Sequence, residues 1–141
     1  MIRNAGIGDI KKIGGIEKEN FHDAWSGEMI RGTLENPSGE AFVFEEDGRV
    51  VSYVCLLAAC GEAEILRIGT EGKNKRKGYA GALVEYTLKS LKKRGIDSLF
   101  LEVRSDNLPA KKLYEKYGFQ KIAVRKKYYG DTDAEIYKYV F

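Results

Sequence analysis

Residues 62–103 read EAEILRIGTEGKNKRKGYAGALVEYTLKSLKKRGIDSLFLEV, and this stretch sets the fold. Glu62–Thr70 has strand character, with Ile65, Leu66 and Ile68 as its apolar residues. A loop, Glu71–Lys77, leads into a helix from about Tyr79 to Arg94, where Leu83, Tyr86, Thr87, Ser90 and Leu91 recur at helical spacing and Gly95 is the stop. Ser98–Val103 is a buried strand. A strand, a crossover helix and a second strand demand a parallel pair.

Working outward, the flanks read as antiparallel. Ala41–Glu46 and Val50–Leu57 are strands around Asp47-Gly48, a strong hairpin signal. Before them come a short strand, Ile2–Asn4, and a helix capped by Asp9 with Ile10, Ile13, Ile16 and Phe21 on one stripe. A second helix follows, capped by Ser26 and closed at Asn36-Pro37-Ser38-Gly39. Downstream, Pro109 starts a helix with Ala110, Leu113, Tyr114 and Tyr117 on its stripe and Gly118 at its end. Strands at about Gln120–Tyr128 and Ala134–Val140 pair antiparallel. The expected fold is one α/β (α+β) domain over residues 1–141, a mixed and mostly antiparallel sheet with one parallel strand pair and flanking helices.

Composition removes several chemistries. His22 is the only histidine, which excludes a His-His metal site. Two cysteines, Cys55 and Cys60, make neither a disulfide framework nor a four-cysteine zinc site, and both read as inert thiols in or beside an apolar strand. No apolar run approaches the roughly 20 residues of a membrane span, and the N-terminus carries no signal-peptide pattern. A soluble cytoplasmic protein without a metal is expected.

The net charge of +3 hides a gradient. Residues 1–72 carry 7 basic and 13 acidic residues, whereas residues 73–94 carry 8 basic residues against Glu85 alone. Such a segment points to an anionic partner, phosphate first, or to a solvated helix face. Within it Lys75-Arg76-Lys77-Gly78-Tyr79-Ala80-Gly81 joins a strand to a long helix. Gly78 and Gly81 keep side chains out of the way, and the first helical turn leaves backbone N–H groups unpaired, so this is an anion seat. It matches neither the Walker loop nor G-x-G-x-x-G.

In Ser98–Arg104, Leu99, Leu101 and Val103 share one face and Phe100, Glu102 and Arg104 the other. Glu102 lies near the strand's end, where open α/β sheets place ligands, and is either a proton acceptor or half of an ion pair with Arg104. Tyr114 is a packed core tyrosine or a proton donor. Asn107, before Pro109, reads first as a helix cap.

Taken together and in order, these segments resemble the GNAT superfamily of N-acetyltransferases. The family's phosphate-loop pattern Arg/Gln-x-x-Gly-x-Gly/Ala is matched by Lys75-Arg76-Lys77-Gly78-Tyr79-Ala80, with Lys75 in the first place. The C-terminal half is similar to the RimI-type protein N-alpha-acetyltransferases, which act on the N-terminal alanine of a small-subunit ribosomal protein. That likeness rests on Leu101-Glu102-Val103-Arg104, on the block from Asn107 to Phe119, on Arg125-Lys126-Lys127-Tyr128-Tyr129 and on Trp25-Ser26. The chain departs at Gly130, at Thr132-Asp133-Ala134, and at Glu71-Gly72, where a proline usually follows the acid.

The resemblance implies acetyl-CoA as cosubstrate. The backbone of Ile68, Gly69 and Thr70 would take its pantetheine arm, and Arg76, Lys77, Gly78, Tyr79, Ala80 and Gly81 its pyrophosphate. Asn107 would touch the cofactor, Glu102 would act as general base, and Tyr114 would protonate the departing thiolate, the two side chains converging near the ends of the parallel strands. Tyr128 and Tyr129 would flank a protein or peptide N-terminus. A GNAT enzyme acting on lysine or a small amine is the near alternative, and a non-enzymatic nucleic-acid binder a distant one; neither membrane nor nucleic acid is required.

Overall fold

The computed structural model describes Met1–Phe141. In chain order the elements are β1 (Ile2–Asn4), α1 (Ile10–Asn20), α2 (Gly27–Glu35), β2 (Gly39–Glu46), β3 (Arg49–Ala59), β4 (Glu62–Thr70), α3 (Tyr79–Lys93), β5 (Ser98–Arg104), α4 (Leu108–Lys116), β6 (Gln120–Arg125) and β7 (Ala134–Val140). Two tight turns build the β2–β3–β4 meander. Asp47 and Gly48 take φ of +52° and +76°, and Cys60 and Gly61 +54° and +82°, the paired positive angles of a type I′ hairpin.

The seven strands form one sheet in the order β1-β2-β3-β4-β5-β7-β6. Every neighbouring pair is antiparallel except β4 and β5, the pair joined through α3. Alternation along the strands separates two cores. Phe42, Val54, Leu56, Leu99, Leu101 and Tyr137 meet Leu83 and Leu91 of α3 and Tyr114 of α4. Val43, Tyr53 and Cys55 point the other way, onto Ile13 and Ile16 of α1 and Ile30 of α2. Helices α1 and α2 lie over β2, β3 and β4, so the same face of β5, β6 and β7 carries no helix.

Three expectations need correction. Asp9 does not cap α1: its carboxylate accepts from the Gly6 N–H at 2.8 Å across a preceding 3₁₀ turn and pairs with Arg3 at 2.8 Å. The strand expected to reach Tyr128 stops at Arg125, because Lys127 turns to φ +49°. Cys60 is exposed in a hairpin turn, while Cys55 is buried with its thiol pushed up to about 12 by that burial.

A carboxylate clamp fixes the chain as it leaves β4. Glu71 accepts from Lys12 of α1 at 2.7 Å and Arg49 of β3 at 2.9 Å, and its own N–H donates to the Val51 carbonyl. These partners, Lys12 first, hold its acid at about 2, below the ordinary carboxylate range near ~4.3. The clamp therefore stabilises the fold fully above pH ~4.3, and that contribution disappears as pH falls toward 2. Glu71→Gln should lower the melting temperature by about 2–5 °C at pH 7, and the gap from wild type should close as the pH is taken from ~4.5 to ~2.5. A gap that stays constant in thermal melts across that range would contradict the clamp.

Candidate active site at the strand splay

The parallel register of β4 and β5 runs only from Glu62 opposite Ser98 to Ile65 opposite Leu101. Beyond it the strands part. β4 stays paired with β3 as far as Thr70, and β5 stays paired with β7 as far as Arg104, but nothing joins Leu66–Thr70 to Glu102–Arg104. The cause is local: Cys55 and Leu56 face Arg67 and Ile65, so Leu66 is an extra residue in β4, and a bulge of this kind bends its strand. The wedge leaves the inner main-chain edge of Leu66–Thr70 without a strand partner, and Ile68, Gly69 and Thr70 lie on that edge.

Behind the wedge, α3 begins. Its first intrahelical bond runs from the Ala82 N–H to the Gly78 carbonyl, and the six N–H groups from Arg76 to Gly81 have no intramolecular acceptor. Arg76 and Gly78 are left-handed, with φ of +67° and +85°. Alternating conformations of this sort, ending at a helix N-terminus, gather main-chain donors for an anion. Gly78 is demanded by its φ, since a Cβ there would meet nothing within 4 Å. Gly81 answers to a different need from the one its spacing suggested: a Cβ would lie 2.9 Å from the Tyr117 hydroxyl, so this glycine lets the end of α4 approach α3. Lys77 donates to Asn74 at 3.0 Å, and the Tyr79 ring packs on Phe44 at 4.7 Å.

The basic segment divides in two. Lys73, Lys75, Arg76 and Lys77 stand at the anion seat, but Lys89, Lys92, Lys93 and Arg94 lie at the other end of α3, about 20 Å away at 1.5 Å per residue. There Lys89 pairs with Glu85 and Arg94 with Glu40.

Glu102 and Tyr114 lie on opposite faces of β5 and do not touch. Tyr114 belongs to the core beneath α3 and α4, beside Phe119 at 5.6 Å between ring centres. Burial alone raises its pKa, and its hydroxyl has no hydrogen-bond partner. The residue as a whole is only 4% exposed. Glu102 is on the helix-free face. Its expected partner Arg104 pairs with Asp106 and Asp131 instead. Arg125 of β6 takes that place at 3.4 Å, and the Tyr129 hydroxyl donates to Glu102 at 3.4 Å. Burial first, then the Glu102 charge, pushes the Tyr129 phenol up to about 12, so it remains a donor at neutral pH. Tyr128 is exposed and meets Tyr129 edge-on at 5.2 Å, with Arg125 over its ring at 5.3 Å. Asn107 does cap α4, accepting from the Ala110 N–H at 3.2 Å.

From Glu102 a groove of about 530 Å³ runs along the helix-free face over Phe100, Ile122 and Ile136. Across the splay, the α1–α2 loop is held to β4 by charges that the sequence reading missed. Glu17 is fully buried, accepts from the Tyr53 hydroxyl and from the Trp25 N–H at 2.8 Å, and pairs with Arg67 at 3.2 Å. Its position four residues after Ile13, on the apolar stripe of α1, was the available signal.

A mixed sheet wedged open at its parallel pair, with unpaired main-chain N–H groups behind the wedge and a carboxylate and a phenol on its two faces, is a geometry suited to acyl transfer from a phosphate-bearing carrier. Residues 10–119 match the acetyltransferase (GNAT) family, and the chain belongs to it; this family draws its acetyl group from acetyl-CoA. The [ribosomal protein bS18]-alanine N-acetyltransferase of Escherichia coli K12 is 34% identical over 121 residues, 84% of this chain and 79% of that protein. Its namesake from Haemophilus ducreyi is 31% identical over 136 residues, 94% of this chain and 91% of that one. The crystal structure of the Escherichia coli ribosomal-protein-S18-alanine N-acetyltransferase superposes with a TM-score of 0.93 at 27% identity, covering 99% of this chain and 92% of its own.

Gly78→Ala should let the loop relax out of its left-handed turn in the free protein, so that binding must restore it at about 1 kcal/mol. Titration calorimetry should then show CoA binding about fivefold weaker, and an unchanged affinity would contradict the anion seat.

Proposed function

We propose that the chain transfers the acetyl group of acetyl-CoA to the N-terminal α-amine of a protein, a ribosomal-protein alanine being the first candidate. The observation that carries this reading is the splay itself, flanked by Glu102 on one face and Tyr114 on the other. The acceptor class is supported by relatives that share about a third of their residues with this chain over most of its length and are named for that reaction.

Acetyl-CoA supplies the thioester. The N–H groups from Arg76 to Gly81 hold its pyrophosphate, with Lys75, Arg76 and Lys77 adding charge and Asn107 touching it from the start of α4. The free edge at Ile68, Gly69 and Thr70 takes the pantetheine arm as a strand would, and an N–H there stabilises the developing oxyanion. Glu102 takes the proton of the incoming ammonium, directly or through water, so that the neutral amine attacks the thioester carbonyl. As the C–N bond forms and the C–S bond breaks, Tyr114 gives its phenolic proton to the departing sulfur; the attacking nitrogen sheds its second proton to solvent to become the amide, and the phenolate regains a proton from solvent. Transfer is direct: Cys55 is buried under α1 and α2, and Cys60 lies in a remote turn.

The acceptor's own acidity favours an N-terminus. At pH 7 an α-amine of pKa near ~8 is roughly a tenth neutral, and a lysine of pKa ~10.4 only about 0.04%. One partly exposed carboxylate is matched to the first. Tyr128 and Tyr129 flank the entering chain, Tyr129 holding Glu102 in place through its hydroxyl.

Mass spectrometry of a peptide panel with free or blocked N-termini, each carrying an internal lysine, tests the assignment. Free N-termini should gain one acetyl group and blocked ones none; acetylation of the lysines alone would overturn it. On the best peptide, Glu102→Gln and Tyr114→Phe should each reduce kcat about 10²-fold or more with acetyl-CoA affinity nearly unchanged. Full turnover in both variants would remove the assigned roles.

A further inference from the structure

On the face away from α3 and α4, two charged residues stand on either side of the splay: Glu102 on β5 and Arg67 on β4. Arg67 shares its face with its cross-strand partner Cys55 and with Glu17 and Tyr53, so it does not point into the other core. Its side chain is nearly buried, and almost everything it touches belongs to the segment between α1 and α2. Nη2 donates to the Asp23 carbonyl at 2.8 Å and lies 3.3 Å from the Asp23 carboxylate. The guanidinium lies 4.0 Å over the Phe21 ring and 5.2 Å from that of Trp25. The same loop is tied a second time through Glu17, which pairs with Arg67 and accepts from the Trp25 N–H.

We infer that Arg67 is a positioning residue for the acceptor side of the site, the post around which the loop 21–26 is wrapped. The inference rests on the N-terminal acetylation reading above. Three loop residues, Phe21, Asp23 and Trp25, converge on one guanidinium by three different contacts: a stacked ring, a main-chain acceptor with its carboxylate, and a second ring. Only a planar, multi-donor cation satisfies all three at once; a lysine ammonium would keep the charge and lose the stacking surface and most of the geometry. Its Nε finds no partner, so the side chain is held for what Nη2 and its flat face do.

The consequence lies at the mouth of the site. The anchored loop lies on the β4 side of the splay, near enough that the Asp23 charge acts on the Tyr129 phenol, whose hydroxyl donates to Glu102. An acceptor chain must pass between them. Glu17 has a second effect. Without its buried carboxylate, Arg67 would present an uncompensated cation beside the path of an incoming ammonium; paired with Glu17 and Asp23, it does not. Loop position and local charge are therefore set by the same residue pair, and neither touches the anion seat or the two proton-handling side chains.

Two variants make this testable without an unpaired buried charge. Arg67→Lys keeps a cation opposite Glu17, and the double variant Glu17→Gln with Arg67→Met removes both charges together. With an N-terminal peptide as acceptor, both should raise the acceptor KM about tenfold or more, with kcat within about threefold. Acetyl-CoA affinity by calorimetry should stay within about twofold of wild type, and amide hydrogen exchange of residues 21–26 should accelerate in both. If Arg67→Lys retains wild-type acceptor KM, charge alone suffices and the positioning role is overturned. Unchanged exchange in the loop, or a parallel loss of acetyl-CoA affinity, overturns it as well. If the wild-type protein acetylates no free N-terminus, the functional reading fails instead, and the loop exchange still decides the role of Arg67.

Discussion

The parallel pairing of β4 with β5 ends after four residue pairs, and the rest of the site depends on that ending. Had the register continued past Ile65 and Leu101, the inner edge of Leu66–Thr70 would be satisfied by β5 and Glu102 would sit in the middle of a closed sheet. The extra residue at Leu66 bends β4, which stays paired with β3, while β5 stays paired with β7. What remains is a slot bounded by main chain on one side, with a carboxylate and a phenol approaching from its two faces. In the reaction proposed above, a thioester seated in the slot is reached by Glu102 from one face and by Tyr114 from the other, so the two side chains need not touch.

Charge is distributed to serve that slot. The carboxylates Glu71 and Glu17 are both buried, and each fixes a segment next to β4: Glu71 the loop leading to the anion seat, Glu17 the α1–α2 loop. Removing a partner from either leaves a buried charge short of compensation, so each carboxylate holds its segment in one place. Glu102 is treated differently. It is partly exposed and held by Arg125 and Tyr129 at 3.4 Å each, longer contacts than those that fix Glu71 and Glu17.

Much of this was legible in the sequence, for identifiable reasons. The crossover from Glu62 to Val103 announced the parallel pair, the Asp47-Gly48 turn announced the hairpin, and the alternation of Ser98–Arg104 put Glu102 opposite the Leu99–Leu101–Val103 face, as the structure has it. What stayed hidden depends on partners distant in the chain. Arg104 is two residues from Glu102 and was the natural mate, yet Arg125, 23 residues on, takes the pair because β6 folds back beside β7. The splay left only a faint mark, the break in alternation at Ile65-Leu66. The eight cations of residues 73–94 read as an anion site or a solvated helix face, and both hold: α3, a rod of 15 residues, carries half of them to its far end. Asp9, a good cap by type, was drawn off by Arg3.

Amide hydrogen exchange with and without acetyl-CoA, resolved to short peptides, reads the claimed donors directly. Slowed exchange confined to Leu66–Thr70 and Arg76–Gly81, with β1 and β2 unaffected, is the predicted result. Saturating acetyl-CoA that binds yet leaves both segments exchanging as before would contradict the account at its centre.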